Sequence, residues 1–204
     1  MALQADTPAL VLASASTARR AVLDAAGLRF TAMAAAVDED AIKESARAEG
    51  LSPTDAALLL AEAKARRVQG RVPGTLVIGA DQILVLGDRW FDKPPDMAAA
   101  RSHLQTLRGE THILVTALVA WRDGARIWQH VATPRLTMRR FSDHFLDAYL
   151  AAEGEAVLSS VGAYRLEALG PHLFDRIEGE HSAILGLPLM ALLGFLRDHD
   201  VLAG

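Results

Sequence analysis

The chain has 204 residues, of which 51% are hydrophobic and 23% are charged, and its formal net charge is −4. This composition is typical of a globular protein with a substantial apolar core, and it excludes wholesale disorder. The chain contains no cysteine, which excludes disulfide frameworks, thiolate metal sites and cysteine nucleophiles.

Neither a membrane-spanning segment nor an export signal is expected from the sequence. No run approaches the roughly 18 consecutive apolar residues of a membrane span, and Met1–Pro8 lacks the basic start of a signal peptide. The slightly acidic charge balance argues against a general nucleic-acid-binding surface. We therefore expect a cytoplasmic protein that binds neither membranes nor nucleic acid.

Predicted strands and helices alternate in the first half of the chain. Short apolar runs predict strands, and cap residues predict where helices begin and end. In chain order we expect a strand over Ala9–Ala13, a helix after Ser14–Thr17 that ends at Gly27, a strand over Phe30–Val37 that closes on Asp38–Asp40, a helix from Ser52 to Gln69, and one long or broken strand over Thr75–Leu86.

The second half of the chain adds a hairpin to this alternation. In chain order we expect a helix opened by Pro94–Asp96 and ended by Gly109, a hairpin of His112–Trp121 and Arg126–Met138 around Asp123-Gly124, a helix from Ser142 to Glu153, a mixed segment over Gly154–Gly179, and a helix over Pro188–His199. This order predicts an α/β fold with a mixed sheet, in one domain over residues 1–204.

Two segments of the first half could bind phosphate or metal. Ser14–Arg20 combines hydroxyls and two arginines with a helix N-terminus, which suits a phosphate group; the alternative is an ordinary Ser/Thr cap before a solvated basic turn. Asp38–Asp40 suits a hard divalent cation such as Mg²⁺; the alternative is an acidic loop in water.

Three further charged residues stand in positions that call for an explanation. Asp81 lies inside an apolar strand pattern, where a carboxylate must be paired or metal-bound unless a bulge exposes it. Lys64 lies on the inward face of its helix and either serves a site or extends to solvent. Lys93 precedes Pro94 on a stiffened loop. His112 heads a strand and is interpreted as structural.

The order of these motifs resembles that of the Maf family of nucleoside triphosphate pyrophosphatases. The matching segments extend from Leu10 to Leu196 and include Leu12–Arg20, Asp38-Glu39, Leu60–Ala65, Gly79–Gln82, Lys93-Pro94, Leu107–His112, Thr116, Gly162–Tyr164 and Gly186–Leu189. The resemblance implies an elongated mixed β-sheet flanked by helices, commonly in a homodimer. It also implies hydrolysis of nucleoside triphosphates to monophosphate and pyrophosphate with Mg²⁺ or Mn²⁺, and a suggested link to septum formation.

The resemblance also implies roles for individual residues. Ser14 and Arg19 would bind phosphate, Glu39 and Asp81 would hold the metal, and Asp81, Lys64 and Lys93 would act in catalysis. The pair of Gln82 and Glu167 looks like the pair found in the branch of the family that acts on 7-methyl-GTP. The chemistry agrees with this, because a glutamate can accept two hydrogen bonds from a guanine edge.

The chain departs from the family pattern at three positions, and several functions stay open. Thr17 and Ala18 replace the usual proline and the following arginine or tryptophan, and Asp92 replaces a glycine. The loss of a stacking side chain at Ala18 favours looser base selection. Alternatives to 7-methyl-GTP hydrolysis are a dTTP/UTP pyrophosphatase, a nucleotidyltransferase, and a nucleotide-binding division regulator without turnover.

Overall fold

The computed structural model describes residues 3–204, so Met1 and Ala2, and with them part of the signal-peptide prediction, lie outside the described residues. Within that range the chain forms eight β-strands and seven α-helices. The strands are β1 (Leu10–Ala13), β2 (Thr31–Ala32), β3 (Leu76–Leu86), β4 (Arg89–Phe91), β5 (Thr111–Arg122), β6 (Ala125–Ala132), β7 (Arg135–Met138) and β8 (Phe174–Glu178). The helices are α1 (Thr17–Ala25), α2 (Glu39–Ala48), α3 (Pro53–Gln69), α4 (Met97–Leu107), α5 (Asp143–Glu153), α6 (His181–Ile184) and α7 (Leu189–Asp198).

The strands form one mixed sheet, as predicted. Their order is β2-β1-β3-β5-β7-β8, with β4 beside β3 and β6 beside β5. β1 pairs in parallel with β2 and β3, whereas the pairs β3–β4, β5–β6, β5–β7 and β7–β8 are antiparallel. This arrangement confirms the predicted α/β class. No helix formed by residues 3–204 combines the length and apolar composition needed to cross a bilayer.

The chain divides into two compact units. Unit 1 contains the residues up to Asp81 together with Thr116–Ala132 and Gly186–Gly204, and unit 2 contains Gln82–Val115 and Thr133–Leu185. Strands β3 and β5 contribute residues to both units. The expectation of one domain over residues 1–204 stays a prediction.

The core of unit 1 forms where α3 buries its apolar face. Ser52 caps α3 by accepting a hydrogen bond from the backbone N–H of Asp55, and Pro53 occupies the first turn, as predicted. The apolar side chains of α3 that are fully buried are Ala56, Ala57, Leu60, Ala61, Ala65 and Val68. At the C-terminal end, the Gln69 Oε1 accepts a hydrogen bond of 3.1 Å from the Gly124 N–H, which ties α3 to the turn of the β5–β6 hairpin.

The core of unit 2 contains a buried polar pair among its apolar side chains. His112 lies near the start of β5, and its Nε2 is 2.8 Å from the hydroxyl oxygen of Tyr164. The Tyr164 ring also packs edge-on against Phe174, with the ring centroids 4.9 Å apart. Burial lowers the pKa of His112 to about 4 and raises the pKa of Tyr164, so both groups are neutral at pH 7. The structural interpretation of His112 agrees with this environment.

We expect His112→Gln to remove part of the acid sensitivity of the fold. In the unfolded chain the pKa of a histidine is about 6.5, above the folded value of about 4. Between these two values the unfolded state takes up a proton that the folded state does not, so stability falls as the pH drops from about 6.5 towards 4, by at most about 3 kcal/mol. Urea unfolding midpoints measured from pH 4.5 to pH 8 test this. The matched control is His144→Gln, at an exposed position on α5. An identical pH slope in wild type and His112→Gln would contradict the prediction.

The predicted strand over Phe30–Val37 is largely wrong. Only Thr31 and Ala32 pair with β1, and the residues after them are irregular. The acidic run does not close a strand but begins α2, whose N-terminus is capped by Asp38 through a 3.0 Å hydrogen bond from the Ala41 N–H. Apolar character alone did not distinguish a paired strand from an irregular, partly exposed segment, because strand pairing depends on partners distant in sequence.

The predicted hairpin around Asp123-Gly124 is confirmed, but its second arm is divided. Pro134 lies between β6 and β7, where a backbone without an N–H interrupts the ladder. β6 pairs with the C-terminal half of β5, and β7 pairs with its N-terminal half, where Thr137 faces Thr111. The short elements β4, β8 and α6 were not predicted.

Candidate active site

Asp81 lies in the interior of β3, and it is buried rather than exposed on a bulge. Only 4% of the residue is exposed. Its Oδ1 accepts a hydrogen bond of 2.5 Å from the Lys64 ammonium. Its Oδ2 is also buried, and no group among residues 3–204 donates a hydrogen bond to it. A buried carboxylate oxygen without a partner is costly and is expected where a water, ligand or metal ion binds.

Lys64 reaches Asp81 because α3 and β3 approach each other unusually closely. At Gly79, two residues before Asp81, a Cβ atom would lie 2.1 Å from the Ala61 carbonyl oxygen and 2.9 Å from the Ala65 Cβ. Only a glycine permits this packing. Lys64 lies between Ala61 and Ala65 on the same helix, so the close approach delivers its side chain to the strand. The Lys64 ammonium lies between the carboxylates of Asp81 and Glu39. The alternative that the side chain extends to solvent is therefore wrong.

Glu39 completes a three-residue charged cluster. It lies in the first turn of α2, and its Oε1 is 2.8 Å from the Lys64 Nζ. Its side chain is 43% exposed, whereas that of Asp81 is 5% exposed. One ammonium therefore bridges a half-exposed and a buried carboxylate. Within the acidic run Asp38 caps the helix, Glu39 faces Lys64 and Asp40 is exposed.

The segment from Ser14 to Arg19 forms the loop and first turn that follow β1. Ser16 caps α1, with its Oγ 3.3 Å from the Arg19 backbone nitrogen. The Ser14 Oγ accepts hydrogen bonds from the Ser16 N–H at 3.2 Å and from the Arg19 Nη1 at 3.3 Å. Both bonds use the hydroxyl oxygen as acceptor, so the Ser14 hydrogen can be donated to an anion. One segment can therefore both cap α1, through Ser16, and offer a hydrogen-bond donor to a phosphate, through Ser14.

Arg19 connects this loop to the backbone beside Asp81. Its Nη1 donates to the Ala80 carbonyl at 2.9 Å, and its Nε donates to the Gly186 carbonyl at 2.8 Å. Gly186 has φ +91°, and a Cβ there would lie 2.9 Å from the Arg19 Nε. Desolvation lowers the pKa of the guanidinium, and the charges of Asp81 and Glu39 partly offset this effect. The prediction identified Arg19 as a phosphate ligand but missed these two backbone contacts.

The remaining predicted site residues belong to unit 2. The Gln82 Nε2 donates to the carbonyls of Ala183 and Ile184, both at 3.1 Å, so its amide hydrogens hold the segment around α6. Lys93 is exposed in the loop between β4 and α4, and Glu167 is exposed in the segment after Tyr164. Unit 1 therefore brings together Ser14, Arg19, Glu39, Lys64 and Asp81, and the roles assigned to all eight residues stay predictions.

The residues available for a metal ion are two carboxylates. Among residues 3–204 no cluster of three or more His, Asp or Glu side chains is arranged to hold a metal. Glu39 and Asp81 both contact the Lys64 ammonium, and Asp81 Oδ2 has no partner within the chain. Mg²⁺ usually binds one or two protein carboxylates together with water and substrate phosphates. The donor set therefore fits a cation that arrives with a phosphorylated ligand.

Comparison with known proteins identifies the family. Residues 9–199 match the family described as Maf-like protein. The chain is 55% identical over 193 residues to a nucleoside triphosphate pyrophosphatase of Granulibacter bethesdensis, covering 95% of this chain and 98% of that protein. It is 51% identical over 191 residues to a 7-methyl-GTP pyrophosphatase of Rhizobium meliloti, covering 94% and 96%. A nucleoside triphosphate pyrophosphatase of Paramagnetospirillum magneticum is 55% identical over 192 residues, which are 94% of this chain and 99% of that protein. The resemblance inferred from the motifs is thus confirmed, and the chain belongs to the Maf-like protein family.

Proposed function

We propose that this chain is a hydrolase that converts nucleoside triphosphates to nucleoside monophosphate and pyrophosphate, with 7-methyl-GTP as its favoured substrate. The observation that carries the proposal is the Asp81–Lys64–Glu39 cluster, in which a buried carboxylate oxygen has no partner among residues 3–204. The names of the similar proteins support the general activity, and some of them support the methylated substrate.

The charge of a triphosphate, roughly four negative units, must be balanced before an anhydride bond can be cleaved. Unit 1 offers the N-terminus of α1, the Ser14 hydroxyl and Arg19 for this purpose. The hydrogen bonds of Arg19 to the chain use Nε and Nη1, so Nη2 is the nitrogen that would meet a phosphate oxygen. Lys64 would contribute its ammonium from the carboxylate cluster, and Lys93 is proposed to contact the triphosphate on the strength of its motif.

The proposed cofactor is Mg²⁺ or Mn²⁺, held by Glu39 and Asp81 with the substrate phosphates. Such an ion would polarise the phosphoryl group and lower the pKa of an attacking water.

Asp81 is the proposed general base for the attacking water. Its Oδ1 is held by Lys64, while its Oδ2 is free within unit 1 to accept a proton. The hydrogen bond to Lys64 fixes the orientation of the carboxylate, which general base catalysis requires. Glu39 is half-exposed on α2, so an arriving ligand can reach its carboxylate.

Base selection is proposed to depend on Glu167 and Gln82. A carboxylate can accept charge-assisted hydrogen bonds from the N1–H and the N2 amino group of guanine, each worth about 1.5–3 kcal/mol. A pyrimidine carbonyl oxygen at the same place would face the Glu167 carboxylate, and because both groups are acceptors no hydrogen bond could form. The Gln82 amide nitrogen binds the carbonyls of Ala183 and Ile184, and its role beside the base is proposed from its position after Asp81.

A screen for pyrophosphate release tests the general activity. Standard and methylated nucleoside triphosphates are incubated with the protein and Mg²⁺, and both products are identified. Release of pyrophosphate and monophosphate when water is the only acceptor supports hydrolysis. Transfer of the nucleotidyl group to a sugar phosphate would instead identify a nucleotidyltransferase, and binding without turnover would identify a non-enzymatic regulator.

We expect Glu167→Gln to reduce discrimination for the guanine edge. The amide can accept only one of the two hydrogen bonds and places a donor against the other. The ratio of kcat/KM for 7-methyl-GTP over dTTP should fall by about tenfold or more, while dTTP turnover changes little. The absent aromatic side chain at Ala18 should leave measurable activity on unmodified GTP. If dTTP or UTP is the best wild-type substrate, the dTTP/UTP alternative is correct.

A homodimer and a cytoplasmic location are also part of the proposal. Sedimentation equilibrium tests the first, and fractionation of the source cells tests the second.

A further inference from the structure

Glu167 stands at the tip of a tight turn formed by residues 165–170 in unit 2. The backbone N–H groups of Ala168 and Gly170 both donate to the Arg165 carbonyl, at 3.1 and 2.9 Å. At Gly170 a Cβ atom would lie 2.4 Å from that same oxygen. The turn can therefore close only with glycine at this position, and closure brings its two ends, Arg165 and Gly170, together.

One buried carboxylate holds both ends of this turn. Glu153 is the last residue of α5, and its side chain is 1% exposed. Its Oε2 accepts hydrogen bonds from the Arg165 Nε at 3.0 Å and Nη2 at 2.7 Å, and its Oε1 accepts one of 2.7 Å from the Leu169 N–H. The hydrogen bond to Glu153 also raises the pKa of Arg165. We call these three residues the Glu153 clamp.

Apolar packing alone holds this turn incompletely. Leu166 is buried, but Leu169 is 40% exposed, and Glu167 is exposed between them. The polar contacts of Glu153 therefore fix the turn at Arg165 and at Leu169, which precede and follow Glu167 by two residues. A buried ion pair contributes little net stability compared with apolar groups of the same shape, whereas fixed geometry is what a base-reading carboxylate needs.

We propose that Glu153 is a positioning residue for base selection, which orients Glu167 through the turn of residues 165–170 without touching the nucleotide. The inference rests on the proposed function, in which Glu167 reads the base. It predicts that loss of the clamp lowers discrimination between purine and pyrimidine substrates more than it lowers turnover of either.

The test is a double-mutant cycle on the ratio of kcat/KM for the best purine triphosphate over the best pyrimidine triphosphate. In Glu153→Gln one acceptor becomes an amide nitrogen, which faces either the Arg165 guanidinium or the Leu169 N–H, donor against donor in both orientations. We expect the ratio to fall about tenfold. In the Glu167→Gln background the same substitution should change the ratio by less than about twofold, because residues that act through one another are not additive.

Two further variants separate positioning from loss of fold. Arg165→Gln breaks the clamp from its more exposed side and should lower the ratio in the same direction, even if Glu153→Gln does not fold. Asp143→Asn is the matched control, since it removes an exposed ion pair with Arg108 at the other end of α5, and it should leave the ratio unchanged. Hydrogen exchange should show faster exchange of the Leu169 amide in Glu153→Gln and not in Asp143→Asn.

The outcomes distinguish this inference from the proposed function. A wild-type protein that releases pyrophosphate from no nucleotide overturns the proposed function, and this inference with it. A selective wild type whose ratio is unchanged in Arg165→Gln, or in a folded Glu153→Gln, overturns this inference alone. Equal effects of Glu153→Gln in the wild-type and Glu167→Gln backgrounds would likewise show that the clamp does not act through Glu167.

Discussion

Asp81→Asn is expected to reduce turnover of nucleoside triphosphates by about 10²-fold or more. The substitution keeps the size of the side chain but removes the proton acceptor and the charge proposed to hold a metal ion. Asn retains one oxygen for the hydrogen bond that Lys64 now donates to Oδ1, and Lys64 keeps its 2.8 Å contact with Glu39. Pyrophosphate release measured with saturating Mg²⁺ and substrate tests the prediction.

The stability of Asp81→Asn should change only modestly. The new amide nitrogen takes the place of Oδ2, which is buried and has no partner among residues 3–204. A buried donor without a partner costs about 1–3 kcal/mol, and in a chain of this size each 1 kcal/mol lowers the unfolding temperature by about 2–4 °C. The control is Asp88→Asn, an exposed position in the turn after β3, which should change neither property. Turnover near the wild-type level in Asp81→Asn would refute the assignment of the general base.

Lys64→Ala is expected to impair both turnover and stability, whereas Lys93→Ala should impair turnover alone. The Lys64 ammonium lies 2.5 Å from the Asp81 Oδ1 and 2.8 Å from the Glu39 Oε1. Its removal leaves the buried carboxylate of Asp81 without a counter-charge, and breaking such a pair typically costs about 3–5 kcal/mol. We expect a cost at the lower end of that range, because Glu39 is half-exposed and can move away.

Lys93 serves as the matched comparison for Lys64. Its side chain is exposed, so its removal should leave the unfolding temperature within about 1 °C of the wild-type value. Both variants should show a lower kcat/KM for the triphosphate if both lysines bind phosphate. Thermal unfolding and steady-state kinetics on the two proteins provide the measurement. An unchanged rate and KM in either variant would mean that this lysine has no part in handling the substrate.

Local sequence signals determined many of the element boundaries. The helix α3 begins at its predicted residue because Ser52, Pro53 and Asp55 act on the backbone within one turn. The β5–β6 hairpin forms at Asp123-Gly124 because both residues adopt the positive φ that the turn requires, +50° and +81°. The predicted strand over Phe30–Val37 failed because pairing with β1 covers two residues only, and pairing is not a local property.

The candidate site shows the same division between local and distant causes. The sequence indicated that Asp81 lies in a strand and that Lys64 faces inward from a helix, since both follow from local periodicity. It did not indicate that the two side chains meet, because their contact requires the close packing of α3 on β3 that Gly79 permits. Glu39 was assigned to a strand end, yet it reaches Lys64 from the first turn of a helix.

Sequence by itself determined the family of this chain, the types of most of its longer elements, and two of the charged residues in its core, Asp81 and Lys64. The element types and the buried charges depend on residue type and on spacing within a few positions. The family follows from the order of the motifs along the chain. Only the tertiary structure decided which of those charges pair, that Arg19 also binds the backbone at Ala80, and that Glu153 holds the turn that contains Glu167. Each of these contacts joins residues that are distant in sequence, and each exists because backbone packing brings a donor within about 3 Å of an acceptor, a distance that no local pattern encodes.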